Sequence, residues 1–265
     1  MLEDEKIDIV YIATPHSMHY ENMIKAVKAG KHVLCEKAIT VNEAQLNEVM
    51  ALAEEKGVVV REAMTISHMP LYKKLKERIR EGAIGKLKMV QVNFGSNKGY
   101  DSASRFFALE AAGGALLDIG VYAASFARTF LSEAPNTILT TVEFLETGAD
   151  EQSGIIMKNT KGEMAVMCLT LRAKQPKRGV VSGDKGYIEV YEYPRACRAA
   201  ITNTETGEVE TVEAGKTEDA LKYEVEAMEG CAAGDYEDDC QEITRDVMKI
   251  LTSVKTQWGM KYPFE

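Results

Sequence analysis

The amino-terminal quarter of the chain alternates between two kinds of segment, and this alternation restricts the fold more than any other feature. Residues 7–13 and 32–35 are short, apolar and rich in β-branched side chains, and a third run of this kind begins at residue 58. Such runs favour β-strands, and the stretches between them place apolar residues at helical spacing. Strands that alternate with helices form a parallel sheet through right-handed crossovers. Residues 7–61 therefore predict part of a doubly wound α/β fold.

The hydrophobic pattern changes in the rest of the chain. From residue 88 to 94, apolar and polar side chains alternate, as in a sheet with one face in water, and further strand-like segments continue to residue 212. Helices are predicted over residues 70–80, 115–130, 217–232 and 239–256. We therefore expect two domains, a partial parallel-sheet domain over residues 1–65 and a mostly antiparallel sheet with flanking helices over residues 66–265. The last helix is expected to pack back on the first domain.

The composition excludes several classes of function. Lys and Arg number 32 against 41 Asp and Glu, which gives a net charge of −9. An acidic chain without a long basic run is a poor partner for nucleic acid or an anionic membrane. No run approaches the roughly 18 apolar residues of a membrane-spanning helix. The amino terminus also lacks the basic-then-apolar layout of a secretory signal.

The cysteines and histidines indicate neither a disulfide framework nor a metal site. The five cysteines are scattered without a Cys-x-x-Cys pair, which favours reduced thiols and a cytoplasmic location. His16 and His19 have the spacing of a ligand pair, but no other Cys or His lies at a matching distance along the chain. We therefore expect no bound metal.

Polar residues follow each of the three predicted parallel strands. Thr14, Pro15 and His16 follow the first, Glu36 and Lys37 follow the second, and residues 61–64 follow the third. Taken alone, Glu36 and Lys37 favour an ion pair on a solvated loop. Ligands in open α/β sheets bind outside the carboxyl ends of the strands, so three polar strand ends together favour a binding edge.

A fourth group of polar residues lies further along the chain, after Gly113 and Gly114. Asp118 and Tyr122 are four residues apart in the predicted helix, so they share one face and can point at one target. The alternative is an aspartate stabilised by the helix dipole beside a tyrosine of the core. Position alone leaves both interpretations open.

Together these motifs resemble those of the Gfo/Idh/MocA oxidoreductases. The matching stretches are Ile-Ala-Thr-Pro-x-x-x-His at 12–19, Glu-Lys-Ala at 36–38, Gly-Gly-Ala-Leu-Leu-Asp-Ile-Gly-Val-Tyr at 113–122 and the final residues 257–265. The resemblance runs over the whole chain. It implies an enzyme that uses NAD or NADP to oxidise or reduce sugars, inositols or related polyols.

The resemblance also implies roles for individual residues. Lys37 matches the catalytic lysine of a motif usually written Glu-Lys-Pro, and Ala38 in place of the proline is expected to loosen the turn. Tyr122 stands where many members have histidine. In this it resembles the branch that includes glucose–fructose oxidoreductase, dihydrodiol dehydrogenase and xylose dehydrogenase, where tyrosine is the proposed proton donor and acceptor. The positions implied for cofactor contact are Thr14, Pro15, His19, Glu36, Lys37 and Glu62, and those for substrate contact are Arg105, Asp118 and Tyr122.

These roles suit the chemistry of hydride transfer. A carbinol carbon loses hydride only as its hydroxyl loses a proton, and a tyrosine with a reference pKa of about 10 is a poor base at neutral pH. We expect the ammonium of Lys37 to lower the pKa of Tyr122 and to stabilise the reacting oxygen. Asp118 would orient one of the two.

One expected motif is absent from the sequence. A dinucleotide fold opens with a strand, Gly-x-Gly-x-x-Gly and a helix, and this chain contains no such fingerprint. Roughly 60 residues, two βα units, are expected to be missing, either because the chain is a fragment or because the protein is naturally shortened. We therefore expect weak or no binding of NAD or NADP by this chain. Low stability as a monomer, or oligomer contacts through the large sheet as in the family, is also expected.

Two functions thus compete. The first is an NAD(P)-dependent dehydrogenase lineage, with Lys37 and Tyr122 as the catalytic pair. The second is a non-catalytic carbohydrate-binding or oligomeric scaffold protein derived from that family.

Overall fold

The computed structural model describes residues 1–235 and 240–265, and its first sheet is parallel. The strands lie in the order β1-β2-β3, with Val10 opposite Val33 and Val33 opposite Val60, as the alternating pattern predicts. The helix α1 begins at His16, earlier than its apolar spacing indicates, because Pro15 fixes an extended turn just before it. The elements are β1 (Ile9–Ile12), α1 (His16–Lys28), β2 (His32–Glu36), α2 (Glu43–Lys56) and β3 (Val60–Ala63).

The second sheet has eight strands among the described residues, in the order β11-β10-β9-β8-β4-β7-β6-β5. Neighbouring strands are antiparallel except β4 and β7, so the prediction of a mostly antiparallel sheet is confirmed. The strands are β4 (Leu87–Ser96), β5 (Thr137–Phe144), β6 (Asp150–Lys158), β7 (Met164–Thr170), β8 (Lys174–Gly183), β9 (Gly186–Tyr191), β10 (Arg198–Asn203) and β11 (Val209–Glu213).

The helix predicted over residues 115–130 has two parts. Leu116–Gly120 is a π-helix, and α5 follows it. The short helix α3 has no sequence signal of its own. The helix predicted over 239–256 is observed from Cys240, and residue 239 lies outside the described residues. The remaining helices are α3 (Thr65–His68), α4 (Pro70–Arg80), α5 (Val121–Phe130), α6 (Ala220–Ala233) and α7 (Cys240–Gln257).

The last helix, α7, contacts α2 and β3 of the parallel-sheet region. The Thr252 hydroxyl accepts the backbone N–H of Glu43 at 2.8 Å, at the start of α2. Nearby, Lys255 donates from Nζ to the carbonyl oxygen of Val41 at 3.0 Å. These contacts fix the parallel sheet against the carboxyl-terminal end of the chain.

One described segment is long and apolar enough to cross a membrane by length and composition. It is Leu109–Phe130, and 72% of its most apolar window is buried inside the fold. Core helices of folded proteins have the same length and composition, and α5 within this segment packs on β4 and β7 of the large sheet.

Candidate active site

The turn that follows β2 carries Lys37 and is held from below by three elements. His19 of α1 contacts the carbonyl oxygen of Ala38 through Nδ1 at 3.0 Å. Glu62 of β3 accepts the backbone N–H of Ile39 at 3.0 Å, and the Thr244 hydroxyl of α7 donates to the other oxygen of Glu62 at 3.0 Å. Side chains from α1 and β3 therefore hold the backbone of this turn, and α7 supports Glu62. Ala38 is fully buried, and its peptide bond with Lys37 is cis.

The turn directs Lys37 at the helix that begins after Gly113 and Gly114. Its Nζ donates to the carbonyl oxygen of Asp118 at 2.7 Å and lies 3.5 Å from the Asp118 carboxylate. The same Nζ lies 4.7 Å from the centre of the Tyr122 ring. The structure thus brings together the three residues that the resemblance implied for catalysis.

The π-helical turn that holds Asp118 is anchored at its start by a buried aspartate. Asp150 is fully buried, and its Oδ2 accepts the backbone N–H of Leu116 at 2.7 Å. Gly114 has φ +124°, and a Cβ there would lie 1.9 Å from Asp150 Oδ1, so only glycine fits. Burial raises the pKa of Asp150 to about 7, against the opposing effect of the Leu116 N–H. Tight π-turns of this kind are often found at functional sites.

Asp118 is paired with two ammonium groups. Burial alone would raise the pKa of Asp118, but Lys37 and Lys98 outweigh it and hold that pKa below its usual value. Lys98 Nζ lies 3.5 Å from Oδ2, on the other carboxylate oxygen. The pKa of Lys37 is lowered because the side chain is buried, although Asp118 opposes this. The pair therefore holds a desolvated ammonium in a fixed position.

The pKa of Tyr122 differs from the prediction. Its pKa is raised above the usual value, first because the ring is buried and second because the Glu36 carboxylate disfavours a phenolate. The prediction that Lys37 lowers this pKa is wrong for the unliganded protein, because Nζ lies over the ring and donates its short hydrogen bond to Asp118. The phenol is thus a proton donor at neutral pH.

His16 joins the two halves of the site. Its Nε2 lies 3.1 Å from the carbonyl oxygen of Lys37, and its Nδ1 lies 3.4 Å from that of Ala112. Burial, helped by the Lys37 ammonium, lowers the pKa of His16 to about 4. A neutral imidazole has one N–H, so the shorter contact, to Lys37, is the one we assign as the hydrogen bond. His16 acts as a support for the turn.

A cavity of about 360 Å³ opens between these elements. It lies at the carboxyl ends of β1 and β2, where α/β sheets bind nucleotides. Its polar and small walls, with Lys37 at the base, fit the nicotinamide end of a dinucleotide. No glycine fingerprint for the pyrophosphate is present in the sequence. The lining residues are Ala13, Thr14, Pro15, His16, Glu36, Lys37 and Arg105.

The predicted site residues divide into two groups. Thr14, Pro15, Glu36, Lys37 and Arg105 line the cavity, with Asp118 and Tyr122 in contact with Lys37. His19 and Glu62 are fully or nearly fully buried beneath the turn and do not line the cavity. His19 contacts the carbonyl oxygens of Thr14 and Ala38, and Glu62 accepts the backbone N–H of Ile39. Burial raises the pKa of Glu62 to about 7.

Three residues near the site were not predicted to act there. Lys98 follows β4, and an isolated lysine after an alternating strand gives no signal of its own. Asp150 begins β6, where a single carboxylate gives no signal either. Glu224 of α6 is buried with one oxygen unpartnered among the described residues. His16 was predicted at the binding edge after β1, and it lies in the cavity wall.

Two family models and several curated proteins match this chain. A family model described as the oxidoreductase family, NAD-binding Rossmann fold, matches residues 1–64, and a model of the GFO/IDH/MocA C-terminal domain matches residues 72–189. D-xylose 1-dehydrogenase (NADP(+)) of Hypocrea jecorina is 30% identical over 99% of this chain and 76% of its own length. Trans-1,2-dihydrobenzene-1,2-diol dehydrogenase of Xenopus laevis is 30% identical over 77% of this chain and 61% of its own. The chain thus spans about three fifths of that dehydrogenase.

Solved structures show the same fold. A 3-ketoreductase from Actinomadura kijaniata, in complex with NADP and TDP-benzene, superposes with a TM-score of 0.86 at 22% identity, over 96% of this chain and 79% of that one. An aldose-aldose oxidoreductase from Caulobacter crescentus superposes with a TM-score of 0.85 at 21% identity, over 98% and 80%. Two matched domains and a relative aligned over nearly all of this sequence establish that the chain belongs to the GFO/IDH/MocA family of oxidoreductases.

Proposed function

We propose that the chain carries the hydride-transfer site of an NAD- or NADP-dependent dehydrogenase that acts on a hydroxyl carbon of a sugar, polyol or dihydrodiol. The observation that carries this proposal is the contact of Lys37 with both Asp118 and Tyr122 beside the cavity. A structural ion pair needs no buried phenol beside it. Hydride transfer at a hydroxyl carbon is assisted by a proton donor or acceptor and by a cation at the reacting oxygen, and Tyr122 and Lys37 supply these two groups.

Each residue has a task that its geometry supports. The Lys37 ammonium faces the space above Tyr122 and stabilises negative charge on the reacting oxygen. Tyr122 donates a proton to that oxygen in the reducing direction, because burial keeps its phenol protonated. Asp118 fixes Lys37. The nicotinamide, held by the cavity-lining residues, supplies or accepts the hydride when it is bound.

The two regions of the chain divide the work in this proposal. Residues 1–65 contribute the cofactor edge, and residues 66–265 contribute the substrate side. The alternative, a non-catalytic binding or scaffold protein, explains the large sheet but gives no reason for a desolvated lysine against Asp118 and Tyr122. The hydride-transfer proposal accounts for both.

The open face of the large sheet supports a homo-oligomer as part of this proposal. One row across that face takes one residue from each of five strands, and four of the five residues are apolar. The row is Leu139, Ile156, Val166, Gln91 and Val180, from β5, β6, β7, β4 and β8. Leu139 is 61% exposed and Ile156 is 41% exposed. A second copy of the chain would cover this apolar row. Light scattering is expected to give a dimer, and Leu139→Glu with Ile156→Lys to give monomers.

The compartment is also a proposal. All five cysteines lie in the described part of the chain and no disulfide joins them there, which supports a reducing cytoplasm.

The direct experiment is a turnover assay. The purified chain is incubated with NAD or NADP and a panel of aldoses, polyols and dihydrodiols, and reduced nicotinamide is followed by absorbance. The cofactor is supplied at high concentration, because the absence of the glycine fingerprint predicts weak binding. We expect turnover with at least one substrate and its loss in Lys37→Met. Sugar binding without turnover in the wild-type chain, with the cofactor bound, would favour the non-catalytic alternative.

A further inference from the structure

Two cations, Lys98 and Arg105, lie around the ring of Phe106, and Lys98 also contacts Asp118 of the proposed site. Lys98 Nζ lies 3.5 Å from the centre of the Phe106 ring, and Arg105 Cζ lies 4.2 Å from the same centre. The two charged groups are therefore no more than 7.7 Å apart, the sum of those distances. At this separation two positive charges repel each other measurably near a protein surface.

Negative charge in this region is insufficient to balance them. Asp118 is shared between Lys98 and Lys37 at 3.5 Å each. Arg105 forms no ion pair with any residue that the structure describes. The other carboxylate of the cavity wall, Glu36, accepts the Tyr11 hydroxyl at 2.5 Å. Three cations thus face two carboxylates in a chain whose net charge is −9, so the local excess runs against the overall charge.

The backbone that carries Lys98 is tied in place. Its N–H donates to the carbonyl oxygen of Leu171 at 2.6 Å, and Arg172 donates from Nη1 to the carbonyl oxygen of Lys98 at 3.2 Å. Both partners follow the end of β7, next to β4 in the sheet. Lys98 is therefore presented by the large sheet, on the substrate side of the proposed site, at a position fixed before any ligand binds.

We propose that Lys98 and Arg105 form a subsite for an anionic group of the substrate, a carboxylate or a phosphate ester. An oxyanion between the ammonium and the guanidinium relieves their repulsion and accepts charge-assisted hydrogen bonds from both. Lys98 also contacts Asp118, so an anion held there leaves the neighbouring hydroxyl carbon of the same molecule near Lys37 and Tyr122. This inference rests on the proposed function and narrows its substrate class to acidic or phosphorylated sugars and polyols.

Binding measurements test the subsite without turnover. Calorimetry on the full 265-residue chain compares glucose 6-phosphate, gluconate and glucose as probes, with inorganic phosphate as a fourth. The variants are Lys98→Met and Arg105→Gln, and the matched control is Lys158→Met on the exposed face of β6. We expect at least one anionic sugar to bind more tightly than glucose. Each site variant should weaken that binding about 10- to 100-fold, and the control should leave it unchanged.

A further measurement distinguishes an anionic group of the substrate from one of the cofactor. NADPH binding, followed by its fluorescence, is expected to change little in Lys98→Met. If Lys98→Met instead weakens NADPH binding and spares the sugar, the anion belongs to the cofactor and the proposal is overturned. Equal binding of glucose and its anionic forms, or no binding of either anionic sugar, also overturns it.

Different experimental results would refute the subsite and the proposed function. Turnover of a neutral sugar, together with equal binding of its neutral and anionic forms, refutes the subsite and keeps the hydride-transfer proposal. Anionic sugar binding that depends on Lys98, without any hydride transfer by the cofactor-bound chain, keeps the subsite and refutes the function.

Discussion

Lys37 donates a 2.7 Å hydrogen bond to the backbone carbonyl of Asp118, a residue of the π-helix Leu116–Gly120. The contact joins the end of the parallel sheet to the π-turn that precedes α5. Because the acceptor is backbone, the lysine is held even when the Asp118 carboxylate pairs with Lys98 or a ligand. The position of the ammonium is therefore a property of the fold.

Removal of this ammonium is expected to abolish turnover with little loss of structure. In Lys37→Met the reacting oxygen loses its cation, and we expect kcat to fall by about 10²- to 10³-fold. Lys25→Met on α1, whose side chain is 64% exposed, is the matched control and should retain activity. Steady-state kinetics and circular dichroism give the two readouts. Activity of Lys37→Met within twofold of wild type would remove the role assigned to the lysine.

Tyr122→Phe isolates the phenolic hydroxyl. The ring would keep its contact with Phe94, 6.2 Å between centres, so we expect an unchanged melting temperature. Reduction of a ketone substrate should slow by about 10²- to 10⁴-fold, because the proton donor is lost. If the variant reduces the substrate at the wild-type rate, the proton comes from another group.

The buried carboxyl of Glu224 is expected to make the free energy of unfolding fall as pH rises. Burial, with help from the Glu36 carboxylate, raises the pKa of Glu224 from 4.5 to about 8. Between these two values the folded protein retains a proton that the unfolded chain releases, so the free energy of unfolding falls as pH rises through this window. Asp150 and Glu62, with pKa values of about 7, act in the same direction.

Glu224→Gln tests this effect, because glutamine cannot ionise. At about pH 8.5 the variant is expected to be more stable than wild type by roughly 1–4 kcal/mol, and near pH 4.5 the two should be similar. Glu229→Gln, exposed on the same helix, is the control. Urea unfolding at both pH values gives the comparison. An equal effect of Glu224→Gln at the two values would contradict the assignment.

Gly114→Ala is expected to damage both stability and catalysis. The added methyl group meets Asp150 at 1.9 Å in a backbone conformation with φ +124° that alanine rarely adopts. We expect a loss of roughly 2–4 kcal/mol in the free energy of unfolding, and reduced turnover because the turn holding Asp118 shifts. Gly154→Ala is the control, since its methyl meets only Thr141 at 3.9 Å. Equal urea midpoints for the two variants would show that the turn adapts.

Much of the fold could be predicted from hydrophobic periodicity. The parallel strands and the alternating strands of the large sheet bury regular patterns, so β1 to β3 and most of β4 to β11 followed from spacing. The π-turn at Leu116–Gly120 did not, because its spacing differs from an α-helix by less than one residue per turn. The helix α3 is too short for any period.

The site was predictable only in part, and for electrostatic reasons. Motif resemblance indicated Lys37, Asp118 and Tyr122, which the structure places in contact. The raised pKa of Tyr122 depends on burial and on Glu36 from another element, which spacing cannot reveal. Lys98 is near in space to Asp118 but distant in sequence, and only the path of the chain after β4 brings them together.

The most direct test of hydride transfer at this site follows the hydrogen itself. The chain is incubated with oxidised nicotinamide dinucleotide and a substrate deuterated at the reacting hydroxyl carbon, and the cofactor is analysed by mass spectrometry and NMR. We predict deuterium at the nicotinamide ring in the wild-type chain and in the Lys25→Met control, with about 10²-fold less in Lys37→Met. Absence of deuterium from the nicotinamide of the wild-type chain under conditions where cofactor and substrate both bind would contradict the account.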